Sequence, residues 1–234
     1  MLIRNLPSVL IKLFMPPIFS KFIVHLYRYY LQKSFSVNSL DLNLQKYLNK
    51  DNGFFIEMGA NNGIDQSNTF LLEIKKNWKG VLVEPSPNKF FDCVRTRSKN
   101  NHFFCNACVS FDYKEMFVPM IYADLMSVSR GLETDLEDIN EHLKSSVGLH
   151  LNKNEQQIEY GASAKTLTKI LQEAKAPRHI DFFSLDVEGS EISVLKGLDF
   201  KKYKIKYILV ECRDFEKMEI YLNSKKYIFF KFNN

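Results

Sequence analysis

From about residue 50 onward, short apolar runs alternate with stretches whose apolar positions recur every three or four residues. Phe54–Met58, Gly80–Glu84, His102–Val109, Ile180–Asp186 and Ile205–Glu211 are rich in Phe, Ile, Val and Leu and lack polar alternation. They predict strands buried on both faces. Between them, Ser67–Lys76, Asn88–Ser98, Ala164–Ala174, Ile192–Gly197 and Asp214–Leu222 predict helices, and Tyr227–Lys231 predicts a last strand. Strands alternating with helices predict an α/β fold: a mostly parallel, doubly wound sheet with helices on both faces. Residues 112–160 break the rhythm, being polar and without clean periodicity. They predict an edge-strand excursion at Tyr113–Met120 and then an inserted lid.

Residues 1–37 form an N-terminal arm ahead of a domain spanning 38–234. Beyond Pro16-Pro17, Ile18, Phe19, Phe22, Ile23, Leu26, Tyr27 and Tyr30 repeat at helical spacing, with Lys21, His25 and Arg28 on the other side. Such a helix packs its apolar stripe on the parent domain or on a second copy in a homo-oligomer. The alternative is peripheral contact with an anionic membrane surface. No charge-free stretch there approaches the length of a transmembrane helix.

Charge sharpens this division. The net charge is +5, from 32 basic and 27 acidic residues. Arg4, Lys12, Lys21, Arg28 and Lys33 precede the first acid, Asp41, and the remaining 27 basic residues balance the 27 acidic ones. The excess belongs to the arm, so the domain lacks the basic face that nucleic-acid binding needs. The four cysteines, Cys93, Cys105, Cys108 and Cys212, lie in mostly apolar surroundings. Cys105 and Cys108 are three apart on a predicted strand and point to opposite faces, which argues against shared metal binding. Reduced thiols and no cleavable signal peptide predict a cytoplasmic protein. The five histidines show no metal-ligand spacing, although His142 and His150 fall in the expected lid.

The first candidate chemistry follows the first strand, at Glu57-Met58-Gly59-Ala60-Asn61-Asn62-Gly63. A buried strand entering a glycine-bearing turn and then a helix is how open α/β sheets cradle a nucleotide-like ligand. Gly59 permits a sharp turn, Asn61 tolerates positive φ, and Gly63 lets the next segment approach the ligand. The spacing is GxxxG rather than GxGxxG, and no GK[ST] follows, which disfavours a P-loop nucleotidase. A carboxylate at Glu57 would repel a pyrophosphate and attract the sulfonium and ammonium of S-adenosylmethionine. Glu84, ending the second strand, is placed to accept hydrogen bonds from ribose hydroxyls.

The second candidate is Asp181-Phe182-Phe183-Ser184-Leu185-Asp186-Val187-Glu188-Gly189-Ser190-Glu191. Its strand delivers Asp186 and Glu188 beside Glu57. Methyl transfer to a hydroxyl requires removal of a proton, by a carboxylate or a metal-bound hydroxide. Asp186 is the first choice for that base and could instead touch the donor. Glu188 could orient the acceptor, or share a divalent cation such as Mg²⁺ with Asp186 and Glu211. Glu191 is expected to face solvent or to cap the next helix.

Together, residues 57–63, Ser67-Asn68-Thr69, Trp78-Lys79-Gly80-Val81-Leu82-Val83-Glu84-Pro85 and Ser184–Gly197 resemble the FkbM family of S-adenosylmethionine-dependent methyltransferases. The likeness covers roughly residues 50–212 and is most specific at 184–197. It implies a Rossmann-like class I methyltransferase fold and O-methylation of a hydroxyl on a saccharide, polysaccharide, glycoconjugate or related natural product. It assigns cofactor contacts to Glu57, Gly59, Ala60, Asn61, Gly63 and Glu84, and sets Asp186 and Glu188 in or beside the active site. Rival readings are a non-catalytic binding protein that keeps the fold and an NAD(P)-dependent oxidoreductase.

Overall fold

The computed structural model describes residues 33–123, 126–136, 138–146 and 158–229, with the backbone alone for Asn140, His142, Ser145 and Ser146. The predicted arm helix and His150 lie outside these residues, as does the side chain of His142. Helix α1 (Leu40–Leu44) leads to β1 (Phe54–Met58), followed by α2 (Phe70–Lys76), β2 (Lys79–Val83), α3 (Pro87–Thr96) and β3 (His102–Phe104). Next come β4 (Ala107–Val109), β5 (Phe117–Tyr122), β6 (Val128–Ser129), α4 (Ile139–Ser146) and β7 (Ile158–Thr166). The described part ends with α5 (Leu167–Glu173), β8 (His179–Leu185), α6 (Glu191–Lys196), β9 (Lys204–Val210) and α7 (Phe215–Ser224).

Five strands form an all-parallel sheet in the order β3-β2-β1-β8-β9. Alternate residues feed two separate cores. Ile56, Val81 and Phe183 pack with Ile170, Leu195 and Met218 from α5, α6 and α7. Phe55, Leu82 and Phe182 pack on the opposite face with Leu72 of α2, Trp78 and Cys93 of α3. Phe55, Ile56, Val81 and Phe183 are fully buried, and each such side chain stabilises the fold by about 1.5–3 kcal/mol relative to exposure. This is the doubly wound, Rossmann-like α/β architecture expected. Strand order reverses between β1 and β8, which opens a crevice beyond their carboxyl ends.

The expected third strand, His102–Val109, is two strands in two sheets. Only β3 joins the five-stranded sheet. The chain breaks at Cys105-Asn106, and β4 enters a second sheet in the order β4-β7-β5-β6. There β4 runs parallel to β7, while β5 is antiparallel to β7 and β6. An apolar run reports burial but not which neighbour buries it, so the sequence merged the two.

The segment at 112–160 is likewise more than an edge excursion and a lid. The observed strand is Phe117–Tyr122 rather than Tyr113–Met120, and it builds the second sheet around Val109, Val118, Met120 and Ala162. Strand β7 leaves no apolar run in the sequence, because Ala162 is its one buried residue. The helix expected from Ala164 begins at Leu167, where the Thr166 side chain caps it by accepting from Lys169 N–H. No strand covers Tyr227–Phe229; the rest of that predicted strand lies outside the described residues. The Tyr227 hydroxyl instead accepts from Ile205 N–H at 3.2 Å and donates to Ile205 C=O at 2.8 Å, satisfying part of the β9 edge.

Candidate active site

At the carboxyl ends of β1, β2 and β8 lies a cavity of about 320 Å³, within the range of roughly 300–1,000 Å³ typical of small-molecule sites. The turn after β1 forms one wall. Gly59 takes φ +74°, and a Cβ there would lie 1.9 Å from the Asp186 carbonyl oxygen. Only glycine fits this contact between the two central strands. Asn61 takes φ 46°, and its N–H donates to Glu84 Oε2 at 2.8 Å. Glu84 Oε1 accepts from Ser86 N–H at 2.9 Å. Burial raises the Glu84 pKa, and these two N–H groups oppose the shift. The carboxylate retains lone pairs toward the cavity, so it can bind sugar hydroxyls.

Of the residues expected to contact a cofactor, Gly59, Ala60, Asn61, Glu84 and Asp186 line the cavity, whereas Glu57 and Gly63 do not. Glu57 shares the face of β1 that carries Phe55, and its carboxylate turns into the helical layer. It accepts from Arg97 Nη1, the Ser67 and Thr69 hydroxyls and Asn68 N–H. Its charge is therefore answered within the protein rather than offered to a ligand. Gly63, at φ +83°, leaves room for α3: a Cβ would meet Arg97 Cγ at 2.7 Å. The close approach it permits is to a helix and not to a ligand.

Arg97 is the residue that sequence reasoning missed. Its guanidinium is fully buried, 2.8 Å from Glu57 and 2.9 Å from Glu73, and also donates to Gly63 C=O at 3.1 Å. It lies 5.3 Å above the Phe55 ring and 5.4 Å from that of Phe70. Burial is the largest influence on its pKa and lowers it, but Glu57 and Glu73 outweigh burial and hold it above its ordinary value. In sequence it is one basic residue in an amphipathic helix, with no local signal of this role.

The other wall carries the carboxylates after β8 and β9. Asp186 continues the β8 ladder, donating its N–H to Met58 C=O at 3.3 Å. Its carboxyl pKa lies well above the ordinary value, first through burial and then through repulsion by Glu211, Glu188 and Glu191. Glu188, at φ 53°, lines the cavity and pairs with Arg213 at 2.9 Å. Its pKa is raised by burial, against the Arg213 hydrogen bond. Glu191 does not face solvent: it is 1% exposed. Its Oε1 accepts from Val187 and Gly189 N–H, fixing the turn that presents Asp186 and Glu188. Burial pushes its pKa up to about 7.

Among the described residues no three His, Cys, Asp or Glu side chains are gathered to hold a metal ion, so Asp186, Glu188 and Glu211 do not form the shared cation site considered above. The four cysteines are free, and Cys105, in the break between β3 and β4, is half-buried. The second sheet completes the enclosure through Met120, Ser127 and Ser129. The Tyr160 hydroxyl of β7 meets Ser86 Oγ at 2.9 Å, tying the second sheet to the Glu84 turn.

The arrangement can hold a nucleoside by its sugar hydroxyls against a close-packed glycine turn, with a carboxyl group of raised pKa at the opposite wall. Compared with known protein families, residues 57–229 match the one described as the methyltransferase FkbM domain. No curated protein and no solved structure matches the chain.

Proposed function

The chain belongs to the FkbM methyltransferase family, and from that premise we propose that it methylates a hydroxyl of a saccharide, glycoconjugate or related natural product, with S-adenosylmethionine as donor. One observation carries this reading: Asp186 and the Gly59 turn share one cavity with Glu84, in contact through the backbone at the point where strand order reverses. When bound, the donor supplies an electrophilic methyl on a cationic sulfur. Glu84 offers lone pairs to its sugar hydroxyls, and the Gly59–Asn61 turn fits the chain closely around it. Asp186, once ionised, takes the proton of the acceptor hydroxyl, and its raised pKa makes it a stronger base than an exposed carboxylate. Glu188, fixed by Arg213, orients the acceptor. Enclosure by the second sheet brings donor and acceptor together at high effective concentration.

Thermal unfolding with S-adenosylmethionine and with NAD(H), followed by transfer of labelled methyl to a panel of hydroxylated sugars, tests the reading. Stabilisation by the methyl donor and label on a sugar oxygen are expected. Preferential stabilisation by NAD(H) would favour the oxidoreductase, and donor binding without transfer would favour a binding protein.

Among the described residues no helix is long and apolar enough to cross a membrane. The basic, acid-free composition of residues 1–40 supports peripheral attachment to an anionic surface, where a lipid-linked glycan would be the acceptor. Phe35 is buried against Phe70, so the informative truncation removes residues 1–32. Unchanged co-sedimentation with anionic vesicles after that truncation would remove membrane contact from the proposal.

A further inference from the structure

Among the described residues the cavity wall carries Asp65, Glu84, Asp186, Glu188 and Glu211 and no lysine, arginine or histidine. The cations around the carboxyl ends of β8 and β9 are already engaged. Lys196 and Lys217 both hold Glu133, at 2.6 and 2.8 Å, and Arg213 holds Glu188. Their counter-charges are not all spent on the cavity: Glu133 comes from the segment between β6 and α4. That segment also sends Asp135 to accept from Arg213 N–H at 2.7 Å.

The acids are not equivalent. Glu84 accepts two backbone N–H groups, Glu188 is ion-paired, and Asp65 accepts from Asn62 at 2.7 Å. Among the described residues the carboxyls of Asp186 and Glu211 take no hydrogen bond and no ion pair, although Asp186 is packed deeply enough for burial to dominate its titration. Hydrogen bonds to neutral N–H groups leave a carboxylate's charge in place, and only Glu188 of the acids lining the cavity is ion-paired, so the wall keeps a net negative field with Glu211 at its rim. The methyl donor brings one net positive charge, from its sulfonium, ammonium and carboxylate together. That single charge answers only one of the acids lining the cavity and leaves the wall negative toward the acceptor.

We propose that the cavity selects its acceptor by charge, taking an uncharged or amine-bearing polyol and turning away a phosphorylated or carboxylated one, with Glu211 as the discriminating side chain. The inference rests on the methyl-transfer reading and specifies its substrate class. Glu211 is exposed at the rim where the loop leaves β9, so substituting it leaves both cores untouched. An anion a few ångströms from an unpaired carboxylate in this setting is disfavoured by at least about tenfold. An ammonium is favoured by a comparable factor.

The first measurement needs no acceptor. Calorimetry compares S-adenosylhomocysteine, neutral at sulfur, with sinefungin, which carries an ammonium in place of the methylsulfonium. Wild type is expected to bind sinefungin about tenfold more tightly, and Glu211→Gln to narrow that ratio by about threefold. Equal affinities overturn charge selection and leave methyl transfer standing. A preference unchanged in Glu211→Gln overturns the assignment to Glu211. Binding of neither nucleoside overturns the methyl-transfer reading itself, and this inference with it. The second measurement compares methyl transfer to methyl glucoside, methyl glucosaminide and methyl glucuronide. The glucuronide should be at least about tenfold poorer in kcat/KM, and Glu211→Lys should close the gap. A glucuronide as good as the glucoside overturns the proposal.

Discussion

Two groups of charged side chains lie on either side of the same glycine turn and are treated in opposite ways. Beneath it, Arg97, Glu57 and Glu73 pair at 2.8 and 2.9 Å, and the Ser67 and Thr69 hydroxyls occupy the remaining Glu57 oxygens. Above it, Asp186 and Glu211 face a cavity without partners among the described residues. A carboxylate whose hydrogen bonds are filled by its own protein holds structure together. One left unfilled is free to meet a ligand, and at Asp186 burial also forces the pKa upward.

The contrast can be broken most sharply at Asp186. Asp186→Asn is expected to lower kcat by roughly 10²–10⁴-fold with a much smaller loss of donor affinity, and to raise the urea midpoint at neutral pH, since burial and neighbouring carboxyls disfavour the ionised form. Equal losses in donor binding and turnover would move Asp186 from proton transfer to cofactor contact. The opposite profile is expected of Arg97→Met. Stranding Glu57 and Glu73 in the interior costs about 3–5 kcal/mol in urea denaturation. Adding Glu57→Gln should recover part of that loss. A single variant as stable as wild type would show that the ion network is not what holds the turn.

A titration experiment comes next in size. Glu191 titrates at about 7 when folded against 4.5 for an ordinary glutamate. The folded protein therefore keeps a proton there that the unfolded chain has already lost. Stability should fall as pH rises from about 4.5 to about 7, by about 3 kcal/mol from this group. Glu191→Gln keeps an oxygen for the Val187 and Gly189 N–H groups and should flatten that slope, as urea midpoints at pH 5 and pH 8 would show. The smallest effect is expected at Glu84, which is both satisfied and open to the cavity. Glu84→Gln should weaken donor binding by about ten- to a hundredfold with little change in kcat.

The sequence revealed what depends on neighbours in the chain. The apolar runs give β1 its observed bounds, Phe54–Met58, and place β2, β8 and β9 to within a residue, because strands buried on both faces are written as unbroken apolar runs. The carboxyl-end positions of Glu84, Asp186 and Glu188 followed from those strands. What stayed hidden depends on contacts distant in sequence. Period-two alternation puts Glu57 on the Phe55 face, but which residue answers it there is decided by Arg97, 40 residues away. Likewise β4 depends on β7, paired at Ala107 with Ala164, and a strand with one buried side chain leaves no hydropathic trace. Glu57 pairs with an internal arginine rather than with the ligand cation expected of it.

The break at Cys105-Asn106 has a consequence for how such a protein could be remade. Because the chain leaves one sheet there for another with its own apolar centre at Val118, Met120 and Ala162, the space facing Asp186 is shaped by a unit whose centre is distinct from the two cores that flank the glycine turn. Libraries confined to Phe117–Leu132 should therefore yield altered acceptor preference at undiminished donor affinity, giving a protein engineer an adjustable half bolted to a constant one.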